Sequence, residues 1–122
     1  MNWSGLGAIL LGLTVISGAF GAHGLRGRLD AYSMGIWERA VFYHFIHAVG
    51  LLLVSILPRI GALRPAAGAW VCWLLAAGIL LFSGSLYLLA LTGVRTLGAV
   101  TPLGGLAFIA AWFGLAWGLA RH

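Results

Sequence analysis

The sequence predicts an all-α membrane protein whose four transmembrane helices form a bundle. Of its 122 residues, 62% are hydrophobic and only 7% are charged, whereas soluble domains carry about 25% charged residues. A helix needs about 20 mostly apolar residues to cross the hydrocarbon core of a bilayer. Four such windows occur in what its length predicts to be a single domain, residues 1–122. We place the spans at residues 3–22, 37–57, 66–91 and 103–120.

Residues that end or start helices separate the predicted spans. Pro58 cannot continue a helix interior. Arg59 and Arg64, in the segment PRIGALRP, mark a water-exposed connection between the second and third spans. Thr101 precedes Pro102, and a hydroxyl followed by proline is typical of a helix start. Four spans joined in this way place both termini on one face of the membrane and the first and third connections on the opposite face.

The first connection, LRGRLDAYSMGI, has its own apolar period. Leu25, Leu29, Tyr32 and Ile36 recur at helical spacing, which predicts a short helix lying in the plane of the membrane interface between the first two spans. Two glycines among these twelve residues favour the alternative, an irregular polar loop.

Glycine is abundant, with 19 residues. In a membrane, small side chains let helix backbones approach closely and gain van der Waals contact. Such contacts would hold the bundle together or join copies of the chain into a homo-oligomer. The predicted packing positions are Gly12, Gly18, Gly84, Gly114 and Gly118.

Polar side chains gather toward the face on which the first span ends. On a helix, Arg39, Tyr43 and His47 form one stripe with His44 beside it, and the cost of exposing ionisable groups to lipid predicts that this stripe points inward. Glu38 lies on another side of the same turn, where we expect it to meet Arg95 or an interfacial arginine. The candidate polar cluster comprises His23, Glu38, Arg39, Tyr43, His44, His47, Ser83, Ser85, Tyr87 and Arg95.

Three histidines in this cluster raise the question of a metal or cofactor. His23, His44 and His47 could supply three imidazoles to a zinc ion, or His23 and one of the others could ligate a haem. A quinone or a lipid head group could also occupy a histidine-lined pocket. The alternative is structural, because imidazoles, hydroxyls and phenols can satisfy one another across a bundle. The sequence specifies no particular cofactor.

Other functional classes lack their signatures. All seven basic residues are arginines scattered singly between apolar runs, a pattern that indicates anchors at lipid head groups rather than nucleic-acid binding. The motifs HExxH and GxSxG and a phosphate-binding glycine loop are missing. We therefore expect a non-enzymatic accessory or scaffold protein that contacts the lipid bilayer and either self-associates or joins a larger membrane complex. The alternative is a binding module at the histidine-lined half-core.

Four motifs, taken together, resemble a known family. They are GAFGAHGL at residues 18–25, YHFIH at 43–47, LFSGSLYLLALTG at 81–93 and TPLGG at 101–105. In this order they are similar to the domain-of-unknown-function four-two-three family of small bacterial inner-membrane proteins, which includes the YgdD-like proteins and a eukaryotic transmembrane branch. The resemblance covers nearly the whole chain and implies a four-helix, multi-pass protein of the bacterial inner membrane. It implies no biochemical activity.

Overall fold

The computed structural model describes residues 1–122 and contains four helices long and apolar enough to cross a membrane. They are α1 (Trp3–Leu25), α2 (Ala31–Ile56), α3 (Pro65–Thr92) and α4 (Thr101–Ala120), the last preceded by a short 3₁₀ turn at Arg95–Ala99. The prediction of an all-α, four-span membrane protein is confirmed. Two helices contain π-helical turns, Gly21–Leu25 at the end of α1 and Ile79–Ser83 within α3.

The connection between α1 and α2 is a tight turn, so the prediction of a separate interfacial helix is wrong. Leu25 ends the π turn of α1, while Tyr32 and Ile36 already lie in α2. The cause is an N-cap at Asp30, whose side chain accepts a hydrogen bond from the Ser33 backbone N–H at 2.7 Å. This cap starts α2 at Ala31 rather than at residue 37, and the apolar period of the connection belongs to the two long helices.

The remaining connections follow the signals in the sequence. Pro65 and Pro102 stand in the first turns of α3 and α4, where the missing N–H group of proline removes no helical hydrogen bond. Gly93 ends α3 in the left-handed conformation at φ 71°, which glycine adopts without a steric penalty.

Helix α2 lies at the centre of the bundle. It packs against α1 on one side and against α3 on the other, and α4 packs mainly on α3. Within the most apolar window of each helix, 39% of residues are buried in α2 and α3 but only 17% in α1. Leu51, Val54, Val71 and Leu75 are fully buried where α2 and α3 meet. The bundle is thus built on α2 and α3, and α1 is a peripheral helix held mainly by α2.

Close glycine contacts occur mostly at positions that the sequence did not indicate. Gly12 and Gly84 face open space, so their predicted packing role within the bundle is wrong, and Gly18 makes only ordinary contact with Val41. Gly114 and Gly118 do lie against α3 and the loop before it, at Trp70 and Leu63. Further close contacts, not predicted from the sequence, are made by Gly7, Gly21, Gly50, Gly68, Gly78 and Gly104.

Candidate functional site

The buried polar side chains lie between the middle of the bundle and the end where α1 stops and α2 begins, since Ser85 contacts Thr101, the first residue of α4. His44 lies about 20 Å along α2 from Ala31, at about 1.5 Å per residue, and α2 has 26 residues. Because α2 begins at Ala31, His44 lies deeper along its helix than a span beginning at residue 37 would place it.

His44 connects α2 to α3. Its side chain is only 4% exposed, and its Nδ1 atom shares a hydrogen bond of 2.8 Å with the Tyr87 hydroxyl. The other ring nitrogen, Nε2, is buried and has no hydrogen-bond partner. The backbone of Leu10 on α1 lies close to the His44 ring, but it does not complete a hydrogen bond with Nε2. When the Tyr87 hydroxyl donates to Nδ1, Nε2 carries the ring proton and is a donor that lacks an acceptor.

His47 is satisfied within its own helix. Its Nδ1 donates to the Tyr43 carbonyl at 2.7 Å, because a carbonyl oxygen can only accept. The His47 ring stacks on Phe108 of α4, with ring centroids 3.5 Å apart and planes 10° apart. Tyr43 also packs against Phe82 and Phe108. His47 and Tyr43 therefore belong to an aromatic layer that joins α2, α3 and α4.

Two serines of the motif SGS hold neighbouring helices together. Ser83, fully buried at the end of the π turn, donates to the Ala40 carbonyl of α2 at 2.8 Å. Ser85 donates to the Phe82 carbonyl at 2.9 Å and lies 2.6 Å from the Thr101 hydroxyl at the start of α4. These bonds agree with the structural alternative, in which hydroxyls bridge helices across the bundle.

A groove opens beside His44 between α1 and α3. Its volume is about 180 Å³, and its walls are mostly apolar. Because α1 packs mainly on α2, the space between α1 and α3 is left open toward the bilayer. Leu80 at its rim is 73% exposed. The groove is lined by Leu10, His44, Ala76, Ile79, Leu80, Ser83, Gly84 and Tyr87, so it includes residues of the π turn, a feature frequent at functional sites.

The structure does not bring the whole predicted cluster together. His23, Glu38, Arg39 and Arg95 are exposed, so Arg39 does not share the inward direction of Tyr43 and His47. Neither carboxylate of the chain forms an ion pair, and the expected contact between Glu38 and Arg95 is not made.

The three-histidine metal site, one of the alternatives left open by the sequence, is also not formed, because His23 lies on the surface and His44 and His47 lie in the core. No three His, Cys, Asp or Glu side chains converge closely enough to hold a metal ion. The surface position of His23 likewise separates it from the two core histidines with which it could have ligated a haem.

Several polar contacts were missed in the sequence. Trp37 is 6% exposed and donates through Nε1 to the Ser17 carbonyl at 3.0 Å. Its ring packs against Tyr87 at 4.6 Å. The hydroxyl groups of Ser4 and Ser55 join α1 and α2 at 2.8 Å. A tryptophan followed directly by Glu38 and Arg39 gave no signal that its indole faces inward.

Charged side chains instead line two clefts at the ends of the helices. The Asp30–Arg95 cleft lies between the start of α2 and the turn after α3, with a volume of about 620 Å³. The Arg26–Glu38 cleft lies between α1 and α2, with a volume of about 140 Å³. Both lie toward the face of the membrane where α1 ends and α2 begins.

Comparison with known proteins identifies the family. Residues 17–105 match the family described as "Protein of unknown function (DUF423)". The chain is 48% identical over 107 residues to the UPF0382 membrane protein SH2409 of Staphylococcus haemolyticus, covering 88% of this chain and 85% of that protein. It is 49% identical over 111 residues to the UPF0382 membrane protein YwdK of Bacillus subtilis, covering 88% and 86%. No solved structure matches the chain. Its motifs, its four spans and these relatives show that the chain belongs to the DUF423 family of integral membrane proteins.

Proposed function

We propose that this protein is a non-enzymatic membrane protein that binds a carbonyl-bearing lipophile, of the quinone class, in the groove beside His44. One observation carries the proposal: the buried Nε2 atom of His44 has no hydrogen-bond partner. In the tautomer in which Tyr87 donates to Nδ1, Nε2 is a buried donor; leaving such a donor unsatisfied costs about 1–3 kcal/mol, and such groups are rare in native proteins. A ligand carbonyl accepting from Nε2 would remove this cost.

The groove suits a molecule that is mostly apolar. His44 and Tyr87 are held to each other, so Nε2 is the one free polar atom beside otherwise apolar walls. The volume of about 180 Å³ is below the roughly 300–1,000 Å³ of pockets that enclose a whole small molecule. The groove would therefore take only the polar end of a ligand, and the apolar remainder would lie along the protein among the acyl chains.

Other buried polar residues support a binding role over a catalytic one. Ser83 and Ser85 each donate to a backbone carbonyl, and Ser85 also shares a hydrogen bond with the Thr101 hydroxyl, so neither hydroxyl is paired with a histidine as a nucleophile would be. His47 uses Nδ1 within its own helix. These contacts organise the bundle and leave His44 as the residue facing a ligand.

The test is binding of decylubiquinone to the purified protein in detergent, measured by native mass spectrometry. We expect one bound equivalent for the unaltered chain. His44→Leu removes the donor and is expected to weaken binding about tenfold, the value of one buried hydrogen bond. Leu10→Phe keeps His44 but fills the groove and is expected to abolish binding. Ser85→Ala is the matched control, because it removes a buried polar group outside the groove.

Two results would overturn the proposal. One is that the unaltered protein retains no quinone, which would favour a purely structural role as an accessory or scaffold protein. The other is that both His44→Leu and Leu10→Phe bind quinone as tightly as the unaltered chain. Thermal unfolding of each variant separates loss of the ligand from loss of the fold.

A further inference from the structure

The Asp30–Arg95 cleft is a second cavity, which shares no lining residue with the His44 groove. It is the largest of the three described cavities, at about 620 Å³. Its rim carries Asp30, Ser33 and Arg95, and its apolar wall is formed by Ile36 and Leu89. A charged rim above an apolar wall at the end of membrane-spanning helices matches the order of groups in a phospholipid, whose head group lies above its acyl chains.

The two opposite charges of this cleft do not pair with each other. Asp30 and Arg95 line the same cavity but form no ion pair within 4.0 Å. The hydrogen bonds from Ser33 hold the pKa of Asp30 below its usual range, so the carboxylate stays ionised near neutral pH. A ligand with only a phosphate would meet Asp30 as a like charge, and a ligand with only an amine would meet Arg95.

The same combination recurs in the Arg26–Glu38 cleft, which also holds one guanidinium and one carboxylate. Asp30 and Glu38 are the only two carboxylate side chains in the sequence. Each therefore lines an interfacial cleft with an arginine, in a chain that is otherwise strongly basic. The smaller cleft, at about 140 Å³, has less room for a head group, which makes the Asp30–Arg95 cleft the better site.

We propose that the Asp30–Arg95 cleft binds the head group of a phosphatidylethanolamine lipid, with Arg95 contacting the phosphate and Asp30 contacting the ammonium. Guanidinium groups bind phosphate oxygens through several N–H donors. A primary ammonium donates up to three hydrogen bonds to a carboxylate, whereas the quaternary ammonium of choline has no N–H group to donate. Tyr32, 74% exposed at the same cleft, has the amphipathic ring that prefers the head-group region.

The test is lipid retention measured by native mass spectrometry. The full-length protein is placed in micelles containing equal amounts of phosphatidylethanolamine and phosphatidylglycerol with identical acyl chains. We expect the species with one retained lipid to contain phosphatidylethanolamine about five times as often as phosphatidylglycerol. A factor of about five corresponds to the contribution of one charge at the membrane interface. Asp30→Asn is expected to abolish this preference while preserving the helix cap, because asparagine also accepts from the Ser33 N–H. Arg95→Gln is expected to reduce retention of both lipids about fivefold.

The controls separate this cleft from other basic sites. Arg59→Gln, in the connection on the opposite face, is expected to leave the lipid ratio unchanged. Equal retention of the two lipids by the unaltered protein, or an unchanged preference in Asp30→Asn, would overturn the proposal. If Glu38→Gln removes the preference and Asp30→Asn does not, the lipid binds in the Arg26–Glu38 cleft and the proposal is wrong. Soluble phosphoethanolamine binding as tightly as the lipid would overturn the assignment to a lipid.

Discussion

Replacing Gly104 by alanine is expected to destabilise the bundle by about 1–3 kcal/mol, the usual range for overpacking a close contact. A Cβ atom at this position would overlap the backbone nitrogen of Phe82 in α3. A backbone cannot move aside as the end of a flexible side chain can, so α4 would have to shift away from the π turn. The measurement is unfolding in increasing dodecyl sulfate, followed by circular dichroism.

Gly105 provides the matched control, because it is the next residue in the same helix. A Cβ atom there would lie 3.9 Å from Phe82 Cδ2, an ordinary van der Waals contact. Gly105→Ala is therefore expected to unfold like the unaltered protein, or slightly later because alanine favours helix more than glycine does. If both variants unfold at the same dodecyl sulfate concentration, α4 does not approach α3 closely at Gly104, and the prediction is wrong.

This pair of glycines shows what the sequence could and could not predict. Hydropathy, Pro58, Pro102 and the lack of charge were sufficient to place four spans, because the length and polarity of a spanning helix are set by the bilayer. The same signals say nothing about helix rotation. Lipid is as apolar as a leucine core, so no polar face marks the outside of each helix. For this reason, the predicted packing role of Gly12 within the bundle was wrong, and the close contact of Gly104 with α3 was missed.

The candidate site was predictable to a similar extent. The motif YHFIH indicated buried imidazoles, and both His44 and His47 are indeed in the core. Which ring nitrogen of His44 forms a hydrogen bond depends on a side chain from another helix, and that side chain, Tyr87, is 43 residues away in the sequence. His23 ends a span in the sequence just as a buried ligand could, but the π turn of α1 leaves it exposed. A one-dimensional pattern does not record such a rotation.

Replacing Leu51 by alanine is expected to lower the free energy of unfolding by about 2 kcal/mol. Leu51 is fully buried in the cluster shared by α2, α3 and α4. In water, such a substitution costs about 2–5 kcal/mol, because the cavity left behind adds to the transfer energy of the lost methyl groups. Within a membrane, the transfer contribution largely disappears, since the unfolded helix exposes Leu51 to hydrocarbon. The lost dispersion contacts remain, which places the expected value at the lower end of that range.

Leu53 lies two residues after Leu51, on the opposite side of α2. Its substitution distinguishes the effect of lost packing from the effect of lost hydrophobic atoms. It is 56% exposed and faces acyl chains that can fill the space left by a smaller side chain. Leu53→Ala therefore removes the same atoms and is expected to change the unfolding free energy by less than about 0.5 kcal/mol, as for surface substitutions generally. Unfolding of both variants in dodecyl sulfate provides the comparison. Equal losses would mean that α2 does not present Leu51 to α3 and Leu53 to lipid, and the inward direction of His44 and His47 on that helix would be wrong as well.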